Sequence, residues 1–554
     1  MEAISKPEAH DPKIGLALSG GGFRASIFHL GVIRRLEELG IMKKVSVISS
    51  VSGGSIIAAY YVIEMENRLR QRRDEILESG KQMDKVRLEL FEEIAKDFFH
   101  TLDHNLRTRA LIFSPFYHPV GWIKCLFPGY SRSDLIQAEY DKWLFRNNTL
   151  DQFPAGWIGE AEDARKEIGG PKLVLNTTSL MSGERVGFSR LPLSGINEMK
   201  KCNKNVLSIS KIVGASACVP GLFPPVPVAG DLLVDGGVSD NQGVEALRDD
   251  QCDMMLISDA SGQIEQLHSL SGKALSVVGR TTSVLQFQVR NKLLDNLQAW
   301  KKEKNGRQFA FIHLFLNLKD RGINIPRVPS EFIPGIARIR TDLDQFSFIE
   351  RESLMYHGYT LIDSQINVHC PGLLNKDPKS ETNIQELKCP PLFQAVSNDG
   401  AGDEGKANRE HEHLKRRERI KTVLKAGNQG VFLIRTLKKY PVKAGTVLFL
   451  TWLIPLLIIY FTGLYTFINP LAEKIIQAFL NWAQGLIPDW LASNLANYIK
   501  WPITTEVAVI AVTFAILLYL LGFLTYLTMR RIVRKLDLDQ YVEMTGVKDP
   551  SPRW

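Results

Sequence analysis

Val45-Ser46-Val47-Ile48-Ser49-Ser50-Val51-Ser52-Gly53-Gly54 is the stretch on which the fold reading turns. Val45 to Ile48 reads as a buried strand. Small residues follow at once, and a helix begins near Gly54 and runs into Ile56, Ile57, Ala58 and Tyr60. A serine in so tight a strand-to-helix turn is pushed out of the backbone with its hydroxyl exposed. Small flanking residues are required because strand and helix approach closely there. The helix N-terminus adds a positive partial charge where an oxyanion would form. The usual elbow pattern has glycine where this chain has Ser50, so by itself the stretch reads rather as a structural Gly/Ser turn.

Working outward, the same rhythm stands upstream. Ile14-Gly15-Leu16-Ala17-Leu18 is an apolar run. Ser19-Gly20-Gly21-Gly22-Phe23-Arg24 follows it, and Ala25 to Leu39 carries Ile27, Leu30, Ile33 and Leu36 at helical spacing. Strand, tight turn, helix, twice over, predicts an α/β fold with parallel strands. Further strands are expected at Lys172–Asn176, Met254–Ile257 and Phe309–Phe315. Consecutive glycines let backbone N–H groups point into one concavity, which suits an oxyanion hole or a phosphate cradle. The spacing is not G-x-G-x-x-G and no Lys-Ser/Thr follows, which disfavours a nucleotide. A third turn, Asp235-Gly236-Gly237, follows the apolar Leu232-Leu233-Val234 and puts a carboxylate at a strand end, in the same topological position as Ser52. Ala215 to Pro225 precedes it, and Asp240 and Asn241 come after. Alone, such a turn is usually structural.

Together these stretches resemble the patatin-like phospholipase family. The resemblance is carried by G-G-G-x-R at Gly20, Gly21, Gly22 and Arg24, the serine elbow at Ser52, A-S-x-x-x-P-x-x-F-P-P from Ala215 to Pro225, and D-G-G at Asp235. The resemblance implies a three-layer α/β/α domain with a mainly parallel central sheet over residues 12–366. It implies a Ser-Asp dyad without histidine: Ser52 as nucleophile, Asp235 as its base, and the backbone around Gly20, Gly21, Gly22 and Gly53 as oxyanion hole. Arg24, Gly54, Gly236, Gly237 and Pro220 would support them, with Arg24 either ordering the glycine loop or contacting a phosphate headgroup. None of the eleven histidines stands in a turn like that of a triad partner; His29 reads as packing or support. The implied activity is hydrolysis of phospholipid or lysophospholipid acyl esters, with acyl transfer on the same dyad, or a membrane scaffold with a vestigial hydrolase, as alternatives. No cofactor or metal is expected.

The 554-residue chain is too long for one compact core. Its net charge of +8 suits anionic lipid or nucleic acid alike. The position of the basic run from Lys406 to Lys443, beside an apolar span, favours lipid, and nucleic acid is not expected. The six cysteines show no C-x-x-C. His411-Glu412-His413 sits in a charged run and reads as a solvated helix face. Glu64 to Phe99 reads as one long charged helical stretch. Ala110 to Tyr130 is an aromatic, proline-broken region that could pack in the core, line an acyl pocket or dip into an interface. Residues 367–443 read as a linker and basic juxtamembrane segment.

There are 29 uncharged residues between Lys443 and Glu473 and 23 between Glu506 and Arg530. A spanning helix needs about 20. This predicts a two-span membrane hairpin over 444–529, with spans near 444–469 and 507–529, followed by a basic tail over 530–554. Lys438, Lys439 and Lys443 precede the first span, and Arg530, Arg531, Arg534 and Lys535 follow the second. That flank charge orients the catalytic domain and the tail toward the cytoplasm, with the connector 471–500 outside. The polar N-terminus has no apolar run, so no secretory signal is expected.

Overall fold

The computed structural model describes residues 12–72, 83–152, 170–190, 207–262, 274–304, 306–321, 328–374, 387–396, 406–429, 432–440, 442–443, 445–446, 505–548 and 550. The first compact unit is Met1–Gly430 with Tyr541–Trp554. It opens with β1 (Ile14–Leu18), α1 (Gly22–Glu38), β2 (Val45–Val51) and α2 (Gly53–Gln71), followed by α3 (Met83–Leu102) and α4 (Arg132–Tyr140). Next come β3 (Lys172–Ser179), β4 (Arg185–Phe188), α5 (Ile209–Ser216), β5 (Val226–Val228) and β6 (Asp231–Asp235). The unit continues with α6 (Glu245–Asp249), β7 (Met254–Asp259), α7 (Ala274–Glu303), β8 (Gln308–His313), α8 (Phe348–His369) and α9 (Lys406–Gly427).

The eight strands form one sheet in the order β5-β6-β3-β2-β1-β7-β8, with β4 also paired to β3. The run β3-β2-β1-β7-β8 is parallel, whereas β4, β5 and β6 are antiparallel. The sheet is therefore mixed. The apolar runs of β1, β2, β3 and β7 are continuous because both faces are covered. Leu16, Leu18, Ile48, Leu175 and Leu256 point into a large core that also takes Ile27, Leu30, Ile57, Phe91, Met355 and Ile362 from helices. Ala17, Val47, Val174, Met255 and Ile257 point the other way, onto Leu247 of α6 and Leu293, Leu297 and Trp300 of α7. These are the three layers.

Two helix starts are written in local chemistry. Ser131 and Asp134 form a capping box at α4, as Ser347 and Glu350 do at α8. Within the stretch from Glu64 to Phe99 that was expected as one long helix, α2 ends at Gln71, and among the described residues α3 begins at Met83. The region from Ala110 to Tyr130 contains short helices at Ser114–Tyr117 and Pro119–Lys124. Part of the segment read as linker is structured: in α9, Ile420, Val423 and Leu424 are buried in the main core. Tyr541 and Met544, from the segment read as a tail, are buried in that core too. Their apolar side chains recur among many charges, which masks the pattern in the sequence.

The second unit is Val431–Gln540. In it Phe432–Lys439 is helical, and a helix runs over Thr505–Thr545. Tyr440 Oη donates to Asp537 Oδ1 at 2.8 Å, and Phe432 meets Tyr526 edge-on. The first expected span falls almost wholly outside the described residues, as do the side chains of 505–515 and 517. Among the described residues, no helix is long and apolar enough to cross a membrane.

Candidate active site

Ser52 stands between the last residue of β2 and the first of α2, at φ 51° and ψ −119°. A non-glycine residue at such a φ costs about 1–3 kcal/mol and persists only where its surroundings over-determine it. Those surroundings are a chain of small hydroxyls. The Ser52 amide donates to Ser216 Oγ at 2.9 Å, and Ser216 Oγ donates to the carbonyl of Asn176 at 2.7 Å. Ser55 Oγ lies 2.8 Å from Ser216 Oγ and donates to Ser50 Oγ, which donates to the Val174 carbonyl. Ser50, the departure from the usual glycine, thus adds a hydroxyl that braces the turn. The first turn of α2 also lies directly on the glycine loop: a Cβ at Gly53 would come 2.0 Å from the Gly22 carbonyl, and one at Gly54 2.3 Å from that of Leu18.

The loop itself needs its glycines at Gly21 (φ 138°) and Gly22 (φ 58°). Gly22 opens α1 and Gly53 opens α2. The first amides of a helix have no intrahelical acceptor, and the helix dipoles place positive charge there. Two helix N-termini therefore converge beside Ser52, an arrangement that can hold an oxyanion. Gly20 departs from the expectation. Its amide donates to the Asn241 carbonyl at 3.1 Å and is spent. Its contribution is the missing side chain, since a Cβ would meet Asn241 Oδ1 at 2.6 Å and Ser52 Cβ at 3.2 Å.

Asp235 ends β6. That strand runs antiparallel to β3, so the carboxylate reaches Ser52 by register and not by the shared strand direction that the sequence suggested. Thr177 pairs with Asp235, one step past the Asn176 that pairs with Val51. The Asp235 amide donates to the Cys218 carbonyl at 2.9 Å, and its Oδ1 accepts from Gly237 N at 2.7 Å. Burial pushes the carboxyl up to about 6, against the Gly237 amide and the nearby Ser52 hydroxyl, which pull it down. A carboxylate at that value is still mostly ionised near neutrality and is a better proton acceptor than an ordinary one. A Cβ at Gly236 would stand 2.4 Å from the Asn176 carbonyl.

Arg24 is buried, and both of its Nη atoms are engaged. Its Nη1 donates to Ile339 O at 2.7 Å and Ala337 O at 3.4 Å, and its Nη2 donates to Ala260 O at 3.0 Å. These carbonyls lie after β7 and ahead of α8, outside Gly20–Gly22. Burial lowers it to about 10, with Asp259 opposing. Pro220 lies exposed on the turn after α5, away from the buried cluster. His29 is buried between Ser258 Oγ (2.8 Å) and the Ser19 carbonyl (3.0 Å), and burial lowers it to about 4, so it is neutral packing beneath the loop. Asp240 caps the next turn, accepting from Gly243 N and Glu245 N at 2.9 Å each. The sequence reading singled out neither Ser216 nor Asn241 as a site residue. Their only sequence signal is their nearness to the Ala215–Pro225 and Asp235 motifs. Tyr140 was also missed: its hydroxyl is buried without a hydrogen-bond partner, and burial and the nearby Asp235 charge both suppress its ionisation. Among the described residues no group of His, Cys, Asp and Glu could hold a metal ion.

Residues 16–248 match the family described as patatin-like phospholipase. Among solved structures, VipD from Legionella pneumophila is similar at 14% identity, covering 99% of this chain and 89% of that one, with a TM-score of 0.29. Human GIVD cytosolic phospholipase A2 is similar at 10% identity over 65% of this chain, with a TM-score of 0.35. Its complex with methyl gamma-linolenyl fluorophosphonate is similar at 14% identity over 63% of this chain, also at 0.35. The chain spans 62% and 57% of the human chains in these two structures. The family match covers residues 16–248, under half of the 554-residue chain.

Proposed function

Starting from the patatin-like phospholipase domain over residues 16–248, we propose that this protein hydrolyses acyl esters of phospholipids or lysophospholipids on a Ser52–Asp235 dyad. Ser52 Oγ bonds to the ester carbonyl carbon while its proton passes to Asp235. The negative charge on the carbonyl oxygen is taken up by amides of Gly21, Gly22 and Gly53. Collapse breaks the bond to the leaving alcohol, which takes the proton from Asp235. Water then repeats the sequence on the acyl-enzyme, with Asp235 again accepting and returning a proton. The observation that carries this reading is Ser52, held at φ 51° beside the buried Asp235, whose carboxyl is raised by burial to about 6. Burial is what makes a carboxylate workable as the base, since in water its affinity for the proton is too low.

Membrane anchoring through spans near 444–469 and 507–529, with the catalytic domain on the cytoplasmic side, belongs to the same proposal. The uncharged runs and their basic flanks support it. Anchoring would raise the effective concentration of lipid at the site.

The test is acyl release from phospholipid vesicles together with labelling by a serine-directed fluorophosphonate. Ser52→Ala and Asp235→Asn should each lower release by about 10³ or more, and label should leave the protein with Ser52→Ala. Wild-type rates in both variants, or label on another serine, would overturn the assignment. Cysteine accessibility along 471–500 tests the topology; exposure on the same side as Asp235 would refute it.

A further inference from the structure

Between α3 and α4 the surface changes character. Over residues 120–127, Val120, Trp122, Ile123, Leu126 and Phe127 all face outward, with Val120, Leu126 and Phe127 exposed by 66%, 65% and 63%. Single exposed apolar residues are ordinary, but five large ones within eight positions make a patch that needs an occupant. No Asp or Glu lies between Asp103 and Asp134. Arg107 turns inward onto Asp342 and Asp344, and Arg109 onto Glu139. Lys124 and Arg132 are left exposed beside the apolar side chains, with Lys124 over the ring of Tyr130.

This face is wired to the active site. Ser133, at the start of α4, donates to the carbonyl of Pro224. The turn that Pro224 closes begins at Cys218, whose carbonyl receives the Asp235 amide. Leu222, on the outer side of that turn, is itself 61% exposed.

We propose that segment 120–127 is a bilayer-docking face. Trp122, Leu126 and Phe127 enter the boundary between headgroups and acyl chains of an anionic leaflet, and Lys124 and Arg132 meet its charge. Indole, phenyl and aliphatic groups interleaved with lysine are the side chains that partition to that boundary, and the exposed Lys124 and Arg132 match a negative surface. The inference rests on the lipid-ester reading above and adds where the domain meets its substrate.

The test uses the full chain reconstituted in phosphatidylcholine vesicles with and without phosphatidylserine. A nitrobenzoxadiazole dye is placed on Leu126→Cys, with Cys125, Cys202 and Cys389 changed to Ser, and compared with the dye on Lys302→Cys. At 126 the dye should be quenched by nitroxide-bearing acyl chains, more so with phosphatidylserine, and shielded from iodide; at 302 the reverse should hold. Iodide access at 126 equal to that at 302 overturns the proposal. So does shielding at 126 without quenching from the acyl chains, which would mark a protein partner or a second copy. Ser52→Ala should leave the 126 signal unchanged. Docking without hydrolysis in the wild type counts against the hydrolase reading alone, whereas hydrolysis with residue 126 in water counts against docking alone. Replacing Trp122, Leu126 and Phe127 together by Ser should lower hydrolysis of vesicle lipid by about tenfold or more while a dissolved short-chain ester is turned over within about twofold of wild type. An equal fall on both substrates overturns the proposal.

Discussion

The backbone amide of Ser52 donates to the hydroxyl of Ser216 at 2.9 Å, across 164 positions of sequence. This bond holds a strained turn in place from outside the turn. Ser216→Ala leaves that buried amide without its acceptor, at a cost of about 1–3 kcal/mol. Fluorophosphonate labelling of Ser52 should slow by about tenfold or more at temperatures well below unfolding. An unchanged labelling rate would mean that the elbow holds its shape unaided.

Asp235 should trade stability for activity. Its carboxyl is raised from 3.8 to about 6 by burial. The folded protein therefore binds this proton more tightly than the unfolded chain does. The group's stability penalty is absent below about pH 4, grows between the two values, and is complete above about 6. At neutral pH, Asp235→Asn should abolish acyl release yet raise unfolding stability by on the order of 3 kcal/mol. Denaturant unfolding at pH 7 and pH 4 checks this: the gain should shrink at the lower pH. In the wild type, the acylation rate should climb as pH rises through about 6 and then level off.

Gly53→Ala is expected to be more damaging than an alanine in a helix should be. Its Cβ would fall 2.0 Å from the backbone carbonyl of Gly22, and backbone cannot swing aside. Either α2 or the glycine loop must shift, at about 1–3 kcal/mol of overpacking strain, and both carry the proposed oxyanion donors. Activity on a dissolved ester should drop by about 10² or more. A near-wild-type rate would place the oxyanion elsewhere.

Tyr541 donates to Glu352, whose other oxygen accepts from the Leu392 amide at 2.8 Å. Burial raises Glu352 to about 7 and the Tyr541 hydroxyl holds it down. With Tyr541→Phe the carboxyl rises further, so the ionised form becomes costlier. The variant should lose about 1–3 kcal/mol, and more at pH 8 than at pH 6. Thermal unfolding at the two pH values reads the difference; a pH-independent loss would show that Glu352 is not the group affected.

Much of the first unit was legible because its signals are local. β1 and β2 are short apolar runs ending in glycine and serine turns, and their helices follow with the right period. The direction of β6 was not legible, because Leu232-Leu233-Val234 looks the same on a parallel or an antiparallel strand. The spent amide of Gly20 was also hidden, since its acceptor is the backbone of Asn241, and a carbonyl has no letter in the sequence. The buried residues of α9 and the return of Tyr541 and Met544 were masked by the charges around them.

By itself, then, the sequence determined the inventory: two strand-turn-helix units, a serine and a carboxylate on tight turns, a glycine loop, and long uncharged runs toward the end of the chain. These are set by backbone sterics and hydrophobic period within a few residues. Only the tertiary structure decided what each group does. It spent the Gly20 amide, turned Arg24 onto three carbonyls, bound Ser52 through Ser216, and raised Asp235 by closing protein around it. Hydrogen-bond partners and burial arise from segments far apart in the chain, and the pKa of Asp235 depends on both.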